Sequence, residues 1–139
     1  MSIAVEDHIE IQRLMYRYAR CADNRDYAGF ADVFCEDAVF DFSGNIVTTL
    51  AAIQEMMHAL DRYSSTLHQV TNTLYEVEGD RADGQTYCVA CHLFQESGDT
   101  KKLEMGIIYH DQLRRTPSGW RIVQRIFKLL WAQSATIDD

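Results

Sequence analysis

Ile11, Leu14, Met15, Tyr18 and Ala22 recur at i, i+3, i+4, i+7 and i+11, which lays them along one stripe of a helix. The spacing predicts a helix over residues 6–23, interrupted at Asn24. Tyr27, Phe30, Ala31 and Phe34 repeat the pattern in a shorter second helix, and Glu36-Asp37 reads as the turn that ends it. Ala38–Phe42 has strand character, and Ser43-Gly44-Asn45 carries turn chemistry. Leu50, Ile53, Met57 and Leu60 predict a third helix over 49–61, with Thr48 or Thr49 as its N-cap. From residue 66 onward the pattern is that of strands, over 66–78, 81–95, 102–115 and 120–131. Gly79-Asp80, Glu96-Ser97-Gly98-Asp99 and Thr116-Pro117-Ser118-Gly119 separate them. The polar tail 132–139 is expected to fray.

Helices gathered ahead of a run of strands predict an α+β fold. Long strands twist and curl, so three helices from the first half of the chain, packed on one curved antiparallel sheet, would enclose a cone-shaped pocket. With 139 residues and neither linker nor repeat, the chain reads as a single domain over 1–139.

Composition narrows the partners. A hydrophobic share of 47% with 11% aromatic excludes a disordered chain. Thirteen basic against 21 acidic side chains leave a net charge of −8, which repels phosphate backbones and anionic headgroups. No nucleic acid or membrane partner is expected. No 18-residue apolar run exists, and the opening MSIAVEDHIE lacks both a basic n-region and an apolar h-region, so neither a membrane span nor a cleaved signal is expected and the location is read as cytoplasmic. Cys21, Cys35, Cys88 and Cys91 then read as reduced, small core residues. Cys88-x-x-Cys91, with His92 beside it, invites a redox or zinc reading. In a strand, however, residues three apart point to opposite faces, and no second ligand pair follows, so no metal is assigned. Gly-rich phosphate loops, G-x-S-x-G, H-E-x-x-H and ferredoxin-type cysteine sets are absent, and no cofactor is assigned.

The candidate chemistry begins at Asp23. A carboxylate at a helix C-terminus opposes the macrodipole, and Asp26 is the better N-cap for the following helix, so another group should hold Asp23. His68 lies at the entry to the first long strand. A lone strand histidine is more often a satisfied surface or core residue than a catalyst. One whose Nδ1–H is bound by a carboxylate, however, presents Nε2 as a base. Strict alternation in the last strand puts Arg121, Val123, Arg125 and Phe127 on one face and Ile122, Gln124 and Ile126 on the other. Arg125 then lies among apolar neighbours, a costly place unless an anion pairs with it; the alternative is an edge arginine reaching out to water. Phe127 is read as part of the substrate wall beside it. Tyr18 is either a core aromatic or a phenol able to donate to a leaving oxygen. His92 shares a strand face with Cys88, Ala90 and Phe94 and is a candidate second donor. His8, His58 and His110 read as surface residues.

Taken together, Ile11-Gln12, Asp23 ahead of Tyr27, the Glu36-Asp37-Ala38 turn, His68 with Thr71-Asn72 behind it, and Trp120 five residues before Arg125 form a set. By these landmarks the chain resembles, over nearly its full length, the SnoaL-like branch of the nuclear transport factor 2-like superfamily. The resemblance is to γ-hexachlorocyclohexane dehydrochlorinase, scytalone dehydratase and the bile-acid 7α-dehydratases. It implies a cystatin-like α+β barrel, with Asp23 and His68 in the catalytic dyad positions, Arg125 as an active-site arginine, Tyr18 as the dehydratases' tyrosine and His92 near a second catalytic histidine. Ala90 and Ala22 depart from relatives that carry an aspartate and a tyrosine there, so neither of those two substrates carries over. The expected activity is that of a cofactor-independent lyase, a dehydratase or dehydrohalogenase, on a small hydrophobic and cyclic molecule. The alternatives are an isomerase or polyketide cyclase on the same fold, or a non-catalytic ligand-binding module. A homo-oligomer, trimer or dimer, is expected through the apolar strand face Tyr87, Val89, Cys91 and Leu93.

Overall fold

A computed structural model describes residues 4–138. Helix α1 (Val5–Asp23) buries the predicted stripe: Ile11, Leu14, Met15, Tyr18 and Ala22 are all in the core. Its first turn is anchored by Asp7, whose Oδ1 accepts from the Trp120 indole at 3.0 Å and from Arg115 at 2.7 Å. The second helix is a 3₁₀ turn over Ala28–Asp32, opened by Asp26 Oδ1 accepting from Gly29 N–H. Phe34 belongs instead to strand β1 (Phe34–Phe42), which is longer than its apolar run suggested. Glu36 and Asp37 are an exposed irregularity within β1 rather than a turn, because the ladder to the last strand resumes at Val39 after Phe34.

Ser43 (φ 54°) and Gly44 (φ 93°) close a two-residue hairpin into β2 (Asn45–Thr48), a short edge strand that the sequence pattern had not indicated. Thr49 then caps α2 (Leu50–Met57), its hydroxyl accepting from Ala52 N–H at 3.2 Å. A 3₁₀ segment, His58–Arg62, leads into the long strands β3 (Ser65–Glu78), β4 (Arg81–Glu96), β5 (Asp99–Thr116) and β6 (Gly119–Thr136). The sheet runs β2-β1-β6-β5-β4-β3 and is antiparallel except where β1 joins β6 in parallel. Its order leaves β2 and β3 as free edges, so the curved sheet is not closed. The α+β class holds, with two α-helices and two 3₁₀ segments in place of three helices.

Two further expectations are corrected. Residues 132–136 continue β6 and pair with β5 as far as Lys101↔Thr136, since backbone pairing to a neighbour needs no apolar side chains. Alternation along β6 is also not uniform: Trp120 and Ile122 are buried, and so are Arg125 and Phe127. Gln112 pairs with Gln124 while Leu113 pairs with Ile122, leaving Val123 as a bulge that switches which parity faces inward. Among the described residues no helix is long and apolar enough to cross a membrane.

Candidate active site

α1 ends where Asn24 and Arg25 turn the chain, Arg25 adopting φ 56° in the left-handed region. This leaves Asp23 facing β3. Its Oδ1 lies 2.7 Å from His68 Nδ1 and accepts from the Thr66 hydroxyl at 3.0 Å, while Oδ2 accepts from the His68 main-chain N–H at 3.0 Å. Those three donors are what holds a carboxylate against the helix dipole. Burial works to raise the Asp23 pKa, but the His68 and Thr66 donors outweigh it and hold the carboxyl below its ordinary value. An ionised carboxylate only accepts, so Nδ1 of His68 carries a proton, and in the neutral ring the lone pair is on Nε2. Among the described residues Nε2 has no hydrogen-bond partner. The His68 ring is 6% exposed and Asp23 20%, so the pair is largely sealed from bulk water.

His68 opens onto a cavity of about 380 Å³ between the sheet, α1 and the α2–Arg62 segment. Most of the wall is apolar: Phe40, Phe42, Met57, Met105, Ile107 and Phe127, with Phe42 and Phe127 stacked at 4.4 Å. The polar inserts are Tyr18, His68, His92 and Tyr109, with Asn45, Arg62 and Tyr63 completing the lining. Ala90, fully buried, leaves this wall without the carboxylate that some relatives were expected to carry.

The sequence candidates divide in two. Tyr18, His92 and Phe127 line the same cavity as His68. The Tyr18 ring meets the His68 ring edge-on at 6.4 Å, and His92 does so at 5.8 Å. Nδ1 of His92 is 3.1 Å from the Leu103 carbonyl, and a carbonyl only accepts, so this nitrogen carries the proton and Nε2 is an acceptor. Burial lowers the His92 pKa, more than the Leu103 bond raises it. The expectation of His92 as a donor is therefore corrected: at neutral pH it offers a second lone pair.

Arg125 does not line the cavity. Its guanidinium is 1% exposed and lies beneath the wall, 4.4 Å from the Tyr18 ring centre and 4.0 Å from that of Tyr109. The anion its apolar setting required is Asp111, paired at 2.8 Å through Nε and 2.7 Å through Nη2. Tyr75 donates to the same carboxylate at 2.6 Å. Arg125 thus reaches a ligand only through the two phenols. Burial raises the pKa of both Tyr18 and Tyr109, with Arg125 pulling each part of the way back, so both remain protonated donors.

Tyr109, Tyr63, Thr66 and Asp111 went unnoticed in the sequence. A signal existed for two of them: Ile107, Tyr109, Asp111 and Leu113 alternate along β5, all buried, and a carboxylate inside such a row implies a buried cation. Cys88 and Cys91 face opposite sides of β4, and burial pushes the Cys88 thiol up to about 12, far from a reactive thiolate. Among the described residues no group of three or more His, Cys, Asp or Glu side chains is set to hold a metal. Of the histidines read as surface, His8 and His58 are exposed and His110 is half-buried.

Comparison with known proteins adds the lineage. An uncharacterized protein of Mycobacterium tuberculosis is 31% identical over 131 residues, 91% of this chain and 88% of its own length. Among solved structures, a Novosphingobium aromaticivorans protein provisionally named an aromatic ring hydroxylase superimposes with TM-score 0.85 at 28% identity, covering 98% of this chain and 96% of that one. A second protein from that organism, provisionally named a scytalone dehydratase, gives 0.84 at 16% identity, with 96% and 91% covered. A hexachlorocyclohexane dehydrochlorinase gives 0.82, also at 16%, with 96% and 90% covered. At 16% the likeness is one of fold. Residues 4–126 match the SnoaL-like domain, and the chain belongs to that family.

Proposed function

We propose that this protein is a cofactor-independent lyase, of dehydratase or dehydrohalogenase type, acting on a small, neutral, cyclic molecule. The observation that carries the reading is the 2.7 Å contact from Asp23 to His68 Nδ1, with Nε2 left without a partner among the described residues beside a largely apolar cavity. His68 Nε2 takes a proton from a substrate carbon, the electrons of that C–H bond form a double bond, and hydroxide or halide departs with its bonding pair. Asp23 holds the ring and stabilises the imidazolium. Tyr18 and Tyr109 are the donors available to the leaving group or to an enolate oxygen. The fold shared with proteins named for dehydration and dehydrochlorination supports this class of chemistry.

The phenol pair, with rings 5.6 Å apart and Arg125 behind them, also suits an enolate that takes the proton back from His68 at a different carbon, which is isomerisation. Both readings share the proton-abstraction step. Four free cysteines support a reducing cytoplasm.

The test is a panel of cyclic β-hydroxy ketones, chlorinated cyclohexanes and β,γ-unsaturated ketones, with products identified by mass and NMR. Water or chloride loss by the wild type, reduced about 10²–10⁴-fold in His68→Gln with unchanged thermal unfolding, is expected. A His68→Gln protein as active as the wild type would overturn the assignment. A double-bond shift without loss of mass would decide for isomerisation.

A further inference from the structure

The Asp23–His68 pair is held from behind by Arg25 acting on Thr66. The Thr66 hydroxyl, 3.0 Å from Asp23 Oδ1, is also 2.9 Å from Nη1 of Arg25. A hydroxyl has one proton and two lone pairs, and a guanidinium has donors only. With Arg25 occupying a lone pair, the Thr66 proton has one direction left, towards Asp23. The same Nη1 donates to the Ala22 carbonyl at 2.8 Å, and Nη2 reaches the Tyr63 carbonyl at 3.3 Å. Arg25 therefore fastens the last turn of α1 to the start of β3 and to Tyr63, a residue of the cavity wall. It does so from a left-handed backbone (φ 56°), a conformation that side chains other than glycine adopt at a cost. A strained residue whose side chain makes three bonds around one carboxylate is fixed by what it holds.

We propose that Arg25, acting through the Thr66 hydroxyl, is a positioning residue for the Asp23–His68 pair. By orienting that hydroxyl it commits Oδ1 of Asp23 to a fixed place, and so fixes the plane of the His68 ring and the direction of Nε2. Neither Arg25 nor Thr66 lines the cavity, so neither is a catalytic residue. The inference rests on the reading of His68 as the base. Its test needs no substrate, so the two fail separately.

The measurement is solvent exchange of the His68 ring Nδ1–H in the full-length, ¹⁵N-labelled protein, its resonance assigned by disappearance in His68→Gln. The wild type is expected to show a downfield, protected signal. In Thr66→Val, which keeps the shape and removes the proton, and in Arg25→Gln, exchange should quicken about tenfold, the effect of one lost hydrogen bond. Thr66→Ser should restore protection. A wild type without a protected signal overturns the proposal, and so does Arg25→Gln exchanging at the wild-type rate, whether or not Thr66→Val exchanges faster. Should Arg25→Gln not fold, Arg25→Met, which keeps the stem and removes every donor, decides instead, quickened exchange supporting the role and wild-type exchange overturning it. If the pattern appears in a protein that turns over nothing on the panel, the lyase reading falls and the positioning role stands.

Discussion

Forty-five positions separate Asp23 from His68, and the chemistry of each is set by what the other supplies. The carboxylate fixes the tautomer of the imidazole, and the imidazole with Thr66 keeps the carboxylate ionised. His92, on the neighbouring strand β4, is governed by a different force. Its ring is bound to a main-chain carbonyl and buried, so its folded pKa lies below the ordinary 6.5 while the unfolded chain titrates there. Between those two values the unfolded state binds more protons, so stability falls as pH drops from 6.5 towards the folded pKa and is fully present above 6.5. Urea unfolding at pH 7.5 and pH 5.5 should show that loss in the wild type and a smaller one in His92→Gln. An equal loss in both would remove His92 as the cause. Asp23 acts in the same direction but in a lower window, below its ordinary 3.8, so the two are separable by pH.

At the scale of elements, the site depends on departures from regular periodicity. Val123 bulges out of β6, and only because of that extra residue do Arg125 and Phe127 share the interior with Trp120 and Ile122. The Arg125–Asp111 pair then ties β6 to β5 beneath two phenols, one of them from α1. Buried charge pairs cost much to desolvate, and removing one partner leaves the other unpaired. Asp111→Asn should lower stability by about 3–5 kcal/mol, and the double change Asp111→Leu with Arg125→Met should lower it by less than the two single changes combined. Denaturant titration of the three variants measures this, and additive losses would mean that the pair does not act as a unit. Much of this level was legible. Helix α1, the third helix with its Thr49 cap and the four long strands follow from periodicity and turn residues. The errors fell where pairing to a neighbouring strand overrode the local pattern: β1 beginning at Phe34 against β6, β2 in a short hairpin with β1, and the tail of β6 along β5.

For the molecule as a whole, the concave face of the sheet is filled by helices and cavity, and the convex face is left with apolar residues. Leu74, Gln85, His110 and Ile126 form one outward row across four strands; Tyr87 stands in the next row on the same face, and Leu67 lies further along it, paired with Cys91. Leu74 is 80% exposed and Leu67 56%. We propose that copies of the chain associate through this face, as a dimer or trimer. Sedimentation velocity at micromolar concentration should show the oligomer, and Leu74→Lys with Tyr87→Lys should shift it to monomer. A monomeric wild type ends that proposal.

The order of residues alone determined the class of fold, the elements with strong periodicity and the residue types able to move a proton, because each is encoded within a few neighbouring positions. Tertiary structure decided which of those residues meet. That Asp23 faces His68, that Arg125 is neutralised by Asp111 under a floor of phenols, and that His92 presents a lone pair rather than a proton all depend on contacts across many residues of sequence. No local pattern records such contacts, since their energies come from desolvation and hydrogen-bond geometry that exist only once the chain has closed around them.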